Sequence, residues 1–271
     1  MSAVPAPAVP RPAASVLLVR EGQRAPVEVY MIRRDPKMRF LGGYYAFPGG
    51  KVDEGDGKPA LLARCRGLAA EDAARVVPAL DGVPPLAFWV TAARELVEET
   101  GILTACDAAG RPVDAAASAV AARVGALRTA LMSREGALAD LLAAEDWWLD
   151  LGRFRYLSHF ITPPSSPIRF TARFFLAPVP AGQAPHLYTE EASEGFWIEP
   201  RDGVAGYEEG RMPMAEPAES GLRYLAEFAS LDALWAAHAD GRHKFHGIAD
   251  RIAAAGVVMD RRPGRPGRRR G

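Results

Sequence analysis

Cysteine is scarce. Cys65 and Cys106 are the only two in 271 residues and lie far apart in sequence. A disulfide framework and a cysteine-based zinc site are therefore excluded, and a reducing, cytoplasmic setting is expected. No apolar run approaches the roughly 18 residues needed to span a bilayer, so no membrane partner is expected. Net charge is also missing: 33 Lys and Arg balance 33 Asp and Glu. That balance argues against a surface given over to nucleic acid, though not against local patches. The Ala/Pro-rich start lacks the basic and apolar regions of a secretory signal. No Ser-Lys-Leu address closes the sequence.

What is present is enough for one sizeable core, with 49% hydrophobic residues. Residues 15–20 and 27–33 read as strands around a polar turn, and 44–47 as a short aromatic strand stopped by Pro48-Gly49-Gly50. Residues 59–77 show helical spacing. Residues 88–100 lack Gly and Pro and run into Gly101, which predicts a helix with a glycine cap. Residues 115–149 read as two helices split near 133–136. Strands follow at 154–161, 168–177 and 195–198, then helices at 218–228 and 231–239. This mixture predicts an α/β sandwich with helical insertions. The expected organisation is a flexible segment at 1–12, one domain over 13–259 with insertions at about 57–87 and 113–150, and a disordered basic Pro/Gly tail at 260–271.

The chemistry concentrates in Arg94-Glu95-Leu96-Val97-Glu98-Glu99-Thr100-Gly101-Ile102. On a helix, Glu95 lies three and four residues from Glu98 and Glu99, so the carboxylates share a face. They repel one another, and a hard cation such as Mg2+ or Mn2+ would remove that cost. Taken alone, the stretch also fits a solvated acidic face. Upstream, Phe47-Pro48-Gly49-Gly50 could bring the backbone close to a ligand or could be an ordinary turn.

Together the two pieces resemble the Nudix signature, G-x5-E-x7-R-E-U-x-E-E-x-G-U, where U is bulky aliphatic. Gly50 matches the first Gly. Arg94, Glu95, Glu98, Glu99, Gly101 and Ile102 match the right half in full. Asp56 stands where the signature has Glu. Residues 57–93 separate it from Arg94, 37 positions instead of seven, which reads as an insertion of about 30 residues, tolerable in a loop. A box split in this way resembles the coenzyme A diphosphatase branch. Arg34, Arg39, Gly43 and Phe47-Pro48-Gly49-Gly50 also fall at the spacing of that branch's upstream motif, with Asp35 in place of Ser or Ala. The stretches at 161–163 and 169–175 resemble it as well.

The resemblance implies a Nudix-type α/β/α sandwich with a mixed sheet, hydrolysing the diphosphate of a nucleotide derivative with Mg2+ or Mn2+. Coenzyme A or acyl-coenzyme A would be the substrate. ADP-ribose, a dinucleotide, a nucleotide sugar, or a catalytically silent binding module are the competing readings. Glu95, Glu98 and Glu99 would form the metal shell, with backbone oxygen from Gly49 or Gly50. Arg94 would orient a glutamate. Arg34 and Arg39 would bind phosphate oxygens, near Gly43. Asp56 and one of Glu190, Glu191 and Glu194 are further acids to place; each of the three reads first as a loop surface acid. His159 reads as a core or edge histidine, His243 and His246 as surface residues, and Trp147-Trp148 as helix packing. The inserted helices could lid the site or build a homodimer.

Overall fold

The computed structural model describes residues 8–22, 25–80, 82–188 and 191–239. His243, His246, Glu190 and the basic tail lie outside them. Strand β1 (Arg11–Arg20) decides the layering, because it is apolar on both sides. Ala14, Val16 and Leu18 join one core cluster, and Leu17 and Val19 join the other. With a side-chain period of two, this strand must lie between two layers.

Its neighbours complete a seven-stranded sheet. β2 (Glu28–Arg34) pairs antiparallel with the far end of β1, and β4 (Gly49–Lys51) pairs with its near end. On the other edge β9 (Phe170–Pro178) runs parallel to β1 along its length. β8 (Arg155–Ile161) extends β9, β10 (Ala192–Ile198) extends β2, and the short β3 (Tyr45–Ala46) sits on β2. The sheet is therefore mixed. The long helix α3 (Pro85–Thr100) covers one face. α7 (Glu216–Leu225) and α8 (Leu231–Ala237) supply Leu222, Leu225 and Leu234 to the core on the other face, with α6 (Pro200–Glu208) beside α7. The α/β sandwich expected from the sequence is what forms.

The insertions are less helical than their spacing suggests. Residues 59–77 break into α1 (Pro59–Leu62), β5 (Cys65–Arg66) and α2 (Ala70–Val76). Residues 115–149 give α4 (Ser118–Met132) and α5 (Leu138–Ala144), and then strand β7 (Trp148–Asp150). β5 and β7 pair in parallel, and β6 (Ala105–Cys106) pairs antiparallel with β7. Both insertions thus share one small three-stranded sheet. Local helical spacing lost to backbone pairing between distant segments, helped by Gly67 at φ 79° and Asp146 at φ 56°. The first expected boundary also shifts, because Arg11 and Pro12 already pair with Phe170 and Thr171.

These added elements explain why α3 is buried almost all round. α2 and α4 both pack against it. Among its 16 residues, 14 are buried, including Arg94, Glu95 and Glu99.

Candidate functional site

Gly101 ends α3 in the left-handed conformation, φ 71°, where a glycine carries no Cβ penalty. The last two turns of the helix face β4. Gly49 has φ 150°, and a Cβ there would strike Ala14 O and the Ser15 backbone of β1. This lets β4 lie tight against β1. The Gly49 N–H then donates to Glu99 Oε2 at 2.9 Å. A Cβ on Gly50 would fall on the Glu95 carboxyl group. The two glycines bring backbone up to two of the three helix carboxylates.

Arg94 organises the cluster. Its Nε and Nη2 donate to Asp56 Oδ1 and Oδ2 at 2.9 and 3.0 Å. Nη1 reaches Glu95 Oε1 at 2.9 Å and Glu98 Oε2 at 2.8 Å, and Nη2 also reaches Lys51 O at 2.8 Å. The guanidinium is thus committed in every direction and leaves nothing for a substrate. Asp56 is 1% exposed and also accepts from Thr91 Oγ1 and the Asp53 N–H. The inserted segment leaves after Asp56 and returns to α3, so the broken spacing is repaired in space.

The electrostatics follow from burial. Desolvation pushes Glu95 up to about 7; Arg94 opposes this and the Glu98 charge adds to it. Desolvation pushes Glu99 up to about 8, with the Glu95 charge adding and the Gly49 N–H and Arg34 opposing. Glu98 is raised too, by desolvation first. Burial alone would lower the Arg94 pKa, but Asp56, Glu95 and Glu98 together hold it above its ordinary value.

These residues fit a hard divalent cation. The donors are all oxygens, the carboxylates are short of compensating charge, and Gly50 leaves room at Glu95. Among the described residues, no three acidic, histidine or cysteine side chains are drawn into one cluster at ligand distance. Arg94 holds Glu95 and Glu98 on its own fork.

The remaining expected site residues divide. Arg34 ends β2 with its Nε buried and without a partner, and its charge acts on Glu99. Gly43, φ 77°, donates its N–H to Arg34 O at 3.0 Å and closes the 35–43 loop onto that arginine. Arg39 is exposed on the loop. Glu194 is exposed and paired with Arg33 at 3.0 Å. Glu191 is the acid whose charge reaches Glu99.

The sequence reading passed over Arg128 and Tyr188. Arg128 of α4 donates to Glu98 O at 3.0 Å and Tyr188 O at 3.1 Å, and stacks on the Tyr188 ring at 3.9 Å. The Tyr188 N–H reaches Glu99 O at 3.0 Å. An insertion and a distant loop thus secure the end of the carboxylate helix, and no local pattern announces it. Trp147 and Trp148 prove to be packing residues, with Arg123 over the first and Arg64 and Arg66 over the second.

A Nudix hydrolase of known crystal structure from Alicyclobacillus acidocaldarius is 32% identical to this chain. The likeness covers 83% of this chain and 94% of that one, with a TM-score of 0.65. The chain belongs to the Nudix hydrolases. A Caenorhabditis elegans protein whose name places it among the nudix hydrolases is 27% identical over 232 residues. The match takes in 82% of this chain and 62% of that protein, so the chain spans less than two thirds of that relative's length. No family model matches the chain. Nudix hydrolases are pyrophosphohydrolases that generally use divalent metal ions. No described helix is long and apolar enough to cross a membrane.

Proposed function

We propose that this Nudix hydrolase cleaves the diphosphate of coenzyme A or acyl-coenzyme A, giving 3′,5′-ADP and 4′-phosphopantetheine or its acyl form, with Mg2+ or Mn2+. The observation that carries the reading is Arg34. Its guanidinium sits beside the buried end of the carboxylate helix with Nε unpartnered, in a motif that resembles the coenzyme A branch. An arginine fork there suits a phosphate oxygen. Arg39, exposed on the same loop, would meet a second phosphate. The two free thiols, Cys65 and Cys106, suit a cytoplasmic enzyme.

In this reading Glu95, Glu98 and Glu99 hold the cation, with a backbone oxygen of Gly49 or Gly50. The cation would neutralise phosphoryl charge and acidify the attacking water. Arg94 fixes the carboxylates and does not touch substrate. Asp56 fixes Arg94. One of the glutamates accepts the proton of the water, and burial suits it to that role by keeping its pKa near neutrality. Arg34 holds the diphosphate against the helix end.

The test is a mass-spectrometric product assay with coenzyme A and ADP-ribose in parallel, with Mg2+ or Mn2+, beside Glu98→Gln. Coenzyme A should yield 3′,5′-ADP, and the variant should be inactive. Cleavage of ADP-ribose alone would overturn the substrate and leave the reaction class standing. Asp35 favours that second outcome, since it replaces Ser or Ala in the motif and its carboxylate is tied to the Lys37 N–H at 2.7 Å.

A further inference from the structure

Two arginines are buried among the described residues, and they are treated in opposite ways. Arg94, 6% exposed, is paired with three carboxylates. Arg173, 4% exposed, has no ion pair among the described residues. Its Nε has no partner, and its one side-chain hydrogen bond runs from Nη1 to Thr171 Oγ1 at 2.7 Å. Its guanidinium lies 4.7 Å from the centre of the Phe88 ring. A buried cation without a counter-charge is strongly disfavoured, and a stacked ring offsets only part of that cost.

The surroundings supply further donors. Arg173 pairs across the sheet with His159, and Thr171 with Ile161, so all four side chains share the face of the sheet that carries Phe175. The Thr171 hydroxyl accepts from Arg173 Nη1 and lies 2.7 Å from His159 Nε2, within hydrogen-bond reach. Desolvation and the neighbouring Arg173 charge lower the His159 pKa to about 4. His159 and Ile161 are exposed, so this end of the group meets solvent. Ala14 pairs with Gly50 on one side and with Arg173 on the other, which sets this group across β1 from the carboxylate cluster.

We propose that Arg173, Thr171 and His159 form a phosphate-binding site distinct from the carboxylate cluster. A tetrahedral oxyanion would take the free Nε of Arg173 and the Thr171 hydroxyl hydrogen. With the ring protonated, His159 would donate to the anion as well. The phosphate is either a monoester group on the substrate, remote from the bond that is cut, or free inorganic phosphate.

Titration calorimetry on the full chain in EDTA, with inorganic phosphate, 3′,5′-ADP and AMP, tests the site without metal or turnover. The parent should bind phosphate. Arg173→Gln should weaken binding tenfold or more, and His159→Gln and Thr171→Val several-fold. The ring nitrogens of His159 should move to their protonated nuclear magnetic resonance positions as phosphate is added. Tighter, Arg173-dependent binding of 3′,5′-ADP than of AMP or phosphate assigns the site to a substrate monoester. Equal binding of all three assigns it to the free anion. If Arg173→Gln does not fold, Thr171→Val and His159→Gln decide alone, since both keep the arginine. Absence of phosphate binding in the parent, or unchanged binding in the folded variants, overturns the proposal. Because no cleavage is measured, failure of the coenzyme A reading would leave this result untouched.

Discussion

Asp56 and Arg94 are 38 residues apart in the chain, yet their side chains meet in a two-pronged, buried ion pair. The chain between them loops out through α1, β5 and α2 and returns as the first half of α3. The pair is the hinge of the site, because the same guanidinium holds Glu95 and Glu98.

Asp56→Asn should therefore cost stability and activity together. Arg94 keeps two carboxylates, so the loss should be that of charge-assisted hydrogen bonds, about 1.5–3 kcal/mol. Urea denaturation should show the lower midpoint, and kcat should fall as Glu95 and Glu98 lose their anchor. A variant with parental stability and kcat would show that Asp56 does not position the cluster.

Metal should stabilise the protein more at high pH than at low pH. Glu95 and Glu99 have folded pKa values raised to about 7 and about 8. A raised pKa contributes stability that is fully present below the unfolded value of about 4.5 and is lost as pH rises through the folded value. In EDTA, the contribution of these two groups to the melting temperature should decline between about pH 5 and 8. Saturating Mg2+ should restore it, so the metal-induced shift at pH 8 should exceed that at pH 6. Equal shifts at both pH values would contradict the placement of the cation on these carboxylates.

Gly50→Ala and Gly49→Ala should fail for different reasons. The Gly50 methyl falls on the Glu95 carboxyl, so activity and Mg2+ stabilisation should be lost for a modest stability cost of about 1–3 kcal/mol. Gly49 sits at φ 150° with β1 backbone in the way, so its variant should lose β4 pairing and stability outright. Melting curves with and without Mg2+ separate the two. Retained Mg2+ stabilisation in folded Gly50→Ala would count against the site.

Arg34→Gln should raise KM for the diphosphate substrate about tenfold or more while moving kcat less, as expected for a charge-assisted phosphate contact. Steady-state kinetics over a full substrate range reads the split. A fall in kcat with KM unchanged would move Arg34 from substrate binding to the reacting centre.

The helix carrying Glu95, Glu98 and Glu99, its stop at Gly101, and the glycines at 49 and 50 were legible in the sequence. Each is a local matter: residue spacing on a helix, a backbone that needs no side chain, and a recognisable motif. Most strands of the main sheet were legible too, since apolar, β-branched runs are read within a few residues; β4 was not, because Pro48-Gly49-Gly50 reads as a break into a loop and becomes a strand only by pairing with β1. The small sheet was not. β5 and β7 form because Arg64 O and Leu149 N find each other across the fold, and helical spacing cannot foresee a partner some 80 residues away. Only the tertiary structure decided that Asp56 still meets Arg94, that Arg128 fastens the end of the carboxylate helix, that Glu194 turns to Arg33, and that Arg173 is buried without a counter-charge among the described residues. Those outcomes depend on long-range packing and on the charges that packing places together, and neither is written in the order of neighbouring residues.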